Sequence, residues 1–229
     1  NMVFTRFDYS TGDAAGQNMT SRATFTACEW IVKQYPQLSH YLLSGSFDTE
    51  KRTSSVNLLK GRGKRVTAEI TIPRDVMISN LRISPPQMHY GQGISTLAAL
   101  MTNSSNNAAH PANGLAALYL ATGQDIANIG ESNQCTTYNK VTRDGDYYFS
   151  ITMPAIIMAT YGGGTALPTQ RECLEIMDCF GKDKAHKLAE IAAGLVLAGE
   201  LSLGAATRVD KETRKNEWVD AHERLGRNR

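Results

Sequence analysis

The chain has 229 residues, 41% of them hydrophobic, so it is long enough to bury a core as one large domain or two small ones. Its 24 basic and 22 acidic side chains leave a formal net charge of +2, which excludes the strong positive field typical of nucleic-acid-binding proteins. No apolar run approaches the ~20 residues that cross a bilayer, and the N-terminus lacks the pattern of a signal peptide. Four scattered cysteines without a C-x-x-C pair predict neither a disulfide framework nor a metal site. We therefore expect a cytoplasmic chain without a membrane segment or a nucleic-acid partner.

The first part of the sequence alternates predicted strands and helices. Residues 3–7 alternate like a strand, a glycine turn follows, and residues 19–35 have a helical composition. A second short strand is predicted at residues 41–44, and an alternating strand at residues 65–72 ends at Pro73. This pattern indicates a mixed α and β architecture.

The second part is dominated by apolar and small residues. Residues 91–113 are rich in Gly, Ser, Asn and Ala, and they fit either a loop or a closely packed helix around residues 94–101. Residues 115–122 predict a buried helix, and residues 147–153 predict a strand. The helical pattern at residues 184–206 is apolar almost all round, which is typical of a core or a subunit interface. The tail then switches to dense mixed charge, which predicts a surface helix or a flap.

A glycine-containing loop between the first strand and the first helix is a candidate phosphate-binding turn. Its residues 11–18 are TGDAAGQN, and backbone N–H groups at the start of a helix can bind a phosphate. The spacing does not match the G-x-G-x-x-G fingerprint of Rossmann folds. Spacing alone therefore slightly favours a structural turn over a dinucleotide site. The string GRGK at residues 61–64 lacks the spacing of a P-loop and also predicts a turn.

Several charged residues could carry chemistry, and each has a structural alternative. Lys51 beside Arg52 could bind a carboxylate or stabilise an oxyanion, or the two could be a solvated pair. Asp125 follows a buried helix, and an anion at a helix C-terminus needs a partner, so it is either a functional or a structural group. His222 could donate a proton near neutral pH or could simply be exposed. Glu200 lies inside the apolar helix and predicts a structural hydrogen bond.

Six segments, taken together, resemble the catalytic domain of the hydroxymethylglutaryl-coenzyme A (HMG-CoA) reductases. The resemblance covers nearly the whole chain from Arg6 onwards, and the segments follow the family's order at roughly its spacings. They are RFDYSTGDAAGQNM, LSGSFDTEKRTSSVNLLKGRGK, HPANGLAALYLATGQDIANIGES, TYGGGTALPTQRECLEIM, LAGELSL and AHERLGR. Six ordered motifs are specific enough to predict membership of this family, closer to its eukaryotic and archaeal class.

The resemblance implies an α+β fold with two domains. One is a large helical substrate-binding domain with a long central helix. The other is a small inserted nicotinamide-binding domain of a non-Rossmann, ferredoxin-like type, only partly present here. The implied boundaries are residues 1–40 for the small domain, 41–206 for the large domain and 207–229 for a charged flap that carries the catalytic histidine. Because the family's active site is built between two subunits, a homodimer or a higher homo-oligomer is expected.

The resemblance also implies the reaction and the residues that perform it. The family reduces HMG-CoA to mevalonate and coenzyme A with two molecules of NAD(P)H, and NADPH is the expected cofactor, with NADH as the alternative. Lys51 would stabilise the oxyanion on the thioester carbonyl, Asp125 would tune Lys51, and His222 would protonate the departing thiolate. Two further sets complete the implied site: cofactor contacts at Asp13, Ala15, Gly16, Gln17, Asn18, Gly162 and Gly163, and substrate contacts at Ser44, Glu50, Arg52, His110 and Asn113.

The sequence departs from the family pattern at several positions. Ala15 and Gln17 replace methionines that are usual in the cofactor loop, and Glu50 stands where the family has aspartate. No lysine occurs in residues 88–113, where animal enzymes carry one that touches substrate. The family's catalytic glutamate and dimerisation segment precede the cofactor loop, so we expect them on a preceding segment or a partner chain, unless the protein is a degenerate homologue. The alternative function is therefore an inert CoA-ester-binding or assembly protein.

Overall fold

Alternating apolar side chains build a three-stranded antiparallel sheet in the computed structural model, which describes residues 3–38 and 40–208. The strands are β1 (Lys64–Ile72), β2 (Thr136–Val141) and β3 (Tyr147–Ile156), and β3 lies between the other two. The helices are α1 (Gln17–Gln34), α2 (Val56–Lys60), α3 (Arg74–Val76), α4 (Pro85–Met101), α5 (Pro111–Thr122), α6 (Ile129–Ser132), α7 (Pro168–Ile176) and α8 (Ala185–Ala206). Short helical turns of other types occupy Met77–Leu81, Ile126–Asn128 and Gly163–Ala166.

The inward face of β3 forms the centre of the core. Tyr147, Phe149, Ile151 and Met153 alternate along the strand, and each is at most 1% exposed. Because β3 pairs with β1 on one side and β2 on the other, both edges of its backbone face a hydrogen-bonding strand. Burying one large apolar side chain contributes roughly 1.5–3 kcal/mol. The strand expected at residues 147–153 is confirmed, and so is the one expected at residues 65–72.

Helix α8 covers the sheet through a stripe of small side chains. Ala189, Ala192 and Ala193 are fully buried, and their size lets α8 approach β1, β3 and α5 closely. The core helix expected at residues 184–206 is therefore confirmed. With 22 residues, α8 is also long and apolar enough to cross a membrane, so the expectation that no run approaches this length is wrong. Half of its most apolar 18-residue window is buried inside the fold, and core helices meet the same criterion of length and composition.

The small-residue stretch at residues 91–113 divides between a helix and a loop. Helix α4 continues to Met101, and a capping box between Ser84 and Gln87 fixes its start. The strands expected at residues 3–7 and 41–44 are wrong, because neither segment pairs with a strand in the described part of the chain. Alternation favours a strand only where a sheet edge is there to pair with it.

Helix α1 stands apart from this core, since none of its residues, all of them described, is buried. The class is α+β, as expected, with helices packed around a small antiparallel sheet. The boundaries expected at residues 40 and 206 stay predictions.

The hydroxyl of Tyr119 joins α5 to the chain that leaves β3. The side chain is fully buried, and its hydroxyl donates to the carbonyl of Ile157 at 2.8 Å. We expect Tyr119→Phe to lower the free energy of unfolding by about 1–3 kcal/mol, because the buried carbonyl loses its partner. Urea denaturation measures this change. Tyr90→Phe is the matched control at a side chain that is 72% exposed, and an equal effect of the two variants would contradict the prediction.

Candidate active site

The loop at residues 11–16 places the start of α1 beside a cleft. The turn is closed by the Ala14 N–H donating to the Thr11 carbonyl at 3.2 Å and by the Thr11 hydroxyl donating to the Ala14 carbonyl at 2.8 Å. Gly16 is the N-cap of α1 and has no side chain to bond the first N–H groups, and the first turn holds no acidic side chain. These N–H groups and the helix dipole favour an anion at this end of α1.

Asp13 ties the same loop to α8. Its carboxylate accepts the backbone N–H of Asp183 at 2.7 Å and of Ala185 at 3.1 Å, and its carbonyl accepts the N–H of Thr160 at 3.0 Å. The two backbone donors hold the pKa of Asp13 below its usual value. Asp13 therefore caps the core helix, so a residue expected at the cofactor also positions the loop.

Lys51 lies on a loop with an unusual backbone. Ser46, Thr49 and Lys51 have φ angles of 65°, 57° and 58°, a region that residues other than glycine rarely adopt. Asp48 helps to fix the turn, since its carboxylate accepts the N–H of Glu50 at 2.9 Å. Such conformations persist only where the surroundings over-determine them. Contacts from outside the loop must therefore hold it.

Glu131 supplies the main outside contact. It is fully buried, and its carboxylate accepts the Lys51 N–H at 2.8 Å and two bonds from the Arg62 guanidinium, at 2.9 and 2.6 Å. Burial opposes the charged form of Arg62, but its hydrogen bond to Glu131 and the charge of that carboxylate raise its pKa. Gly130 permits the close approach, because a Cβ there would lie 2.5 Å from the Lys51 carbonyl oxygen. A charged, bidentate pair thus anchors the backbone of Lys51.

The Lys51 ammonium pairs with Asp125, with 2.9 Å between Nζ and Oδ2. The hydrogen bond to Asp125 raises the pKa of Lys51, and the same bond lowers the pKa of Asp125. Asp125 also accepts the N–H of Ala127 at 3.0 Å, and so it caps the turn at Ile126–Asn128. The expectation that Asp125, which follows the end of α5, needs a partner is confirmed, because its carboxylate has two partners, the Lys51 ammonium and the Ala127 N–H. At neutral pH the pair is a protonated lysine and an ionised aspartate.

Gln17 connects the start of α1 to the lysine loop. Its amide nitrogen donates to Glu50 at 2.9 Å and to Asn128 at 2.8 Å. The same oxygen of Glu50 lies 4.0 Å from the Lys51 ammonium and 3.8 Å from the Arg62 guanidinium. Two of the positions that depart from the family pattern, Gln17 and Glu50, are therefore in direct contact.

Gln17, Glu50, Lys51 and Asp125 line one cleft of about 1000 Å³, a size suited to a large organic ligand. Gly162 and Gly163 belong to its lining, and a Cβ at either position would meet no atom of the described residues within 4 Å, which leaves room for a ligand against their backbone. Lys182 adds a positive side chain. The structure brings together ten of the residues singled out in the sequence: Asp13, Ala15, Gly16, Gln17, Asn18, Glu50, Lys51, Asp125, Gly162 and Gly163.

Two expected substrate residues on the lysine loop do not line this cleft. Ser44 is exposed, and its hydroxyl donates to Asp48 at 2.8 Å. Arg52 is also exposed, and its charge contributes to lowering the pKa of Asp48. His222 lies outside the described residues.

His110 and Asn113 lie at the start of α5, whereas Asp125 follows its end. The twelve residues of α5, roughly 18 Å of helix, separate His110 from the loop that carries Asp125. Neither His110 nor Asn113 belongs to the lining of this cleft in the described part of the chain. Beside them, Glu200 accepts the N–H of Ala109 at 2.6 Å and the N–H of His110, so the structural hydrogen bond expected for it is confirmed. Burial raises the pKa of Glu200, and these backbone bonds oppose that rise.

The sequence analysis missed Arg62, Glu131 and Asn128. The string GRGK is a turn, as expected, but the arginine inside it carries the buried ion pair. One signal was available, since Glu131 is the single acidic residue in the otherwise uncharged run from residue 126 to residue 139. Such a residue next to predicted core needs a partner.

The hydroxymethylglutaryl-coenzyme A reductase family model matches residues 1–227. The chain is similar to 3-hydroxy-3-methylglutaryl-coenzyme A reductases of Pyrococcus horikoshii, 40% identical over 99% of this chain and 55% of that protein, and of Methanothermobacter thermautotrophicus, 40% identical over 98% and 55%. A eukaryotic relative of the same name, from Blattella germanica, is 40% identical over 89% of this chain and 25% of its own length.

The chain belongs to the hydroxymethylglutaryl-coenzyme A reductase family, as the six motifs predicted. It spans about half the length of the archaeal relatives it matches.

The cap that Asp13 places on α8 makes a prediction about stability and pH. Asp13→Ala should lower the free energy of unfolding by about 1 kcal/mol, whereas Asp13→Asn, which still accepts hydrogen bonds, should lose less. Because the folded state lowers the pKa of Asp13, the contribution of its charge is complete above about pH 4 and is lost as the pH falls through the lowered value.

Urea denaturation of the three forms between about pH 7 and pH 2 measures both effects. Asp8→Ala is the control, because among the described residues Asp8 forms an exposed ion pair with Arg6, which contributes little to stability. An Asp13→Ala variant as stable as the control would contradict the capping role.

Proposed function

We propose that this protein reduces HMG-CoA to mevalonate and coenzyme A, with two molecules of a nicotinamide cofactor as the source of hydride. The observation that carries the proposal is the pair of Lys51 and Asp125, 2.9 Å apart, in the same cleft as the start of α1 and the open glycines. The family of the chain and the printed names of its relatives support the same reaction.

Lys51 stabilises negative charge on the carbonyl oxygen of the substrate in this reaction. Addition of hydride to the thioester carbonyl moves the carbon–oxygen π electrons onto oxygen, and the ammonium of Lys51 stabilises the resulting charge. Asp125 keeps Lys51 protonated, since their hydrogen bond raises the pKa of the lysine. Collapse of this intermediate expels the CoA thiolate and leaves an aldehyde. The aldehyde carbonyl takes the second hydride beside the same Lys51, and the resulting alkoxide takes a proton from the Lys51 ammonium to give the alcohol. Asp125 thus favours the protonated form of Lys51, whose proton is then available to the oxygen of the substrate carbonyl.

The residues at the start of α1 fit a dinucleotide. The uncapped N–H groups of α1 and the ammonium of Lys182 would hold its diphosphate, and the backbone of Gly162 and Gly163 leaves room for a flat ring. The bound dinucleotide supplies hydride to the substrate carbonyl. We take NADPH as the cofactor, with NADH as the alternative.

His222 is the proposed donor of the proton that converts the CoA thiolate to a thiol. This role follows from the motif AHERLGR, which contains it. A histidine suits the task, because its ordinary pKa lies near neutral pH.

A second copy of the chain is the proposed source of the remaining substrate contacts. His110 and Asn113 do not line the cleft of Lys51 in the described part of the chain, and the resemblance to the family implies an active site built between two subunits. This favours a homodimer or a higher homo-oligomer. The cysteines, all four of them described, are free thiols, which agrees with a cytoplasmic location.

The test uses the full-length protein and measures HMG-CoA-dependent oxidation of NADPH and NADH by the loss of absorbance at a wavelength of about 340 nm. We expect Lys51→Ala to reduce kcat by roughly 100- to 1000-fold, the usual cost of removing one oxyanion donor. Lys60→Ala, at an exposed lysine at the end of α2, is the matched control and should keep wild-type turnover.

Folded wild-type protein that binds coenzyme A but oxidises neither cofactor would overturn the proposal. That outcome would favour the inert CoA-ester-binding homologue.

A further inference from the structure

The side-chain amide of Gln17 controls where the Glu50 carboxylate lies. Its nitrogen donates to one oxygen of Glu50 at 2.9 Å, and that oxygen is 4.0 Å from the Lys51 ammonium, beyond the reach of a hydrogen bond. The same nitrogen donates to Asn128 at 2.8 Å. Because both amide hydrogens have acceptors, the orientation of Gln17 is fixed.

Charged groups face Lys51 from each element around it. Asp125, from the turn after α5, is hydrogen-bonded to its ammonium at 2.9 Å, and Glu50 and Arg62 contribute a negative and a positive charge nearby. The contact of Glu131 with Lys51 is to the backbone N–H and not to the ammonium. If the Glu50 carboxylate moved from 4.0 Å to hydrogen-bonding distance of the Lys51 ammonium, Lys51 would bind two carboxylates, and fewer of its three N–H donors would remain for a ligand.

We propose that Gln17 is a positioning residue that holds the Glu50 carboxylate off Lys51, so that Lys51 keeps Asp125 as its hydrogen-bonded partner and turns its other donors to the substrate carbonyl. Its importance for turnover rests on the proposed function. Gln17 and Glu50 act as a matched pair, because the extra methylene of glutamate, relative to aspartate, brings the carboxylate to the amide of Gln17.

Removing the amide should release Glu50 onto Lys51. In Gln17→Met the carboxylate approaches from 4.0 Å to about 3 Å, and its negative charge beside the ammonium raises the apparent pKa of Lys51. We expect kcat to fall by roughly 3- to 10-fold with a smaller change in the KM for HMG-CoA, because the oxyanion forms only in the transition state. Adding Glu50→Asp withdraws the carboxylate and should reverse both effects.

The experiment compares wild type, Gln17→Met, Glu50→Asp and the double variant in the full-length protein. Competitive acetylation with acetic anhydride, followed by mass spectrometry of the Lys51 peptide at a series of pH values, gives the apparent pKa of Lys51 without any turnover. Gln34→Met at the exposed end of α1 and Glu172→Asp on the exposed face of α7 are the matched controls. A pKa that rises in Gln17→Met and returns in the double variant supports the inference.

An unchanged Lys51 pKa in Gln17→Met, or a rise that Glu50→Asp does not reverse, overturns the inference. If circular dichroism shows that Gln17→Met is unfolded, Gln17→Asn replaces it, because its shorter amide cannot reach Glu50 and the same shift is expected. Failure of the proposed function is a separate result, since it appears as wild type without HMG-CoA-dependent oxidation while the acetylation measurement still reports on Gln17.

Discussion

Burying an ionised carboxylate costs several kcal/mol unless charged partners replace the water it loses, and Glu131 meets this condition at the base of the cleft. Its partners come from two separate segments, the guanidinium of Arg62 before β1 and the backbone N–H of Lys51. The position of Lys51 therefore depends on the ion pair of Arg62 and Glu131, neither of which belongs to the cleft lining. The left-handed backbone of Lys51 is tolerable because this contact holds it.

Two further polar side chains extend the same framework across the cleft. Asp13 connects the loop before α1 to the start of α8, and Gln17 connects the first residue of α1 to Glu50. These links matter because α1 buries no side chain in this chain and so gains little from packing. Directional hydrogen bonds, rather than apolar contacts, therefore set where the helix start stands relative to Lys51.

Periodicity predicted the elements whose partners are close by or whose faces are fully buried. Strands β1 and β3 and helix α8 follow from the pattern alone, whereas residues 3–7 alternate without a neighbouring edge and form no strand. Local chemistry made Lys51, Asp125 and the loop at residues 11–18 candidates beside structural alternatives, and the motifs shared with a family then gave each of the ten residues in the cleft a role. The pair of Arg62 and Glu131 could not be read from the sequence, because 69 positions separate its members and only the fold brings them together.

The charges around the cleft are segregated, and this division orients a ligand. Near the lysine, the two cations Lys51 and Arg62 face the three carboxylates Glu50, Asp125 and Glu131, so the negative charges are in excess by one. This excess favours the protonated form of Lys51. The start of α1 and Lys182 have the opposite character. Phosphate groups are therefore favoured at the helix end of the cleft, and a neutral, electrophilic carbonyl is favoured at Lys51.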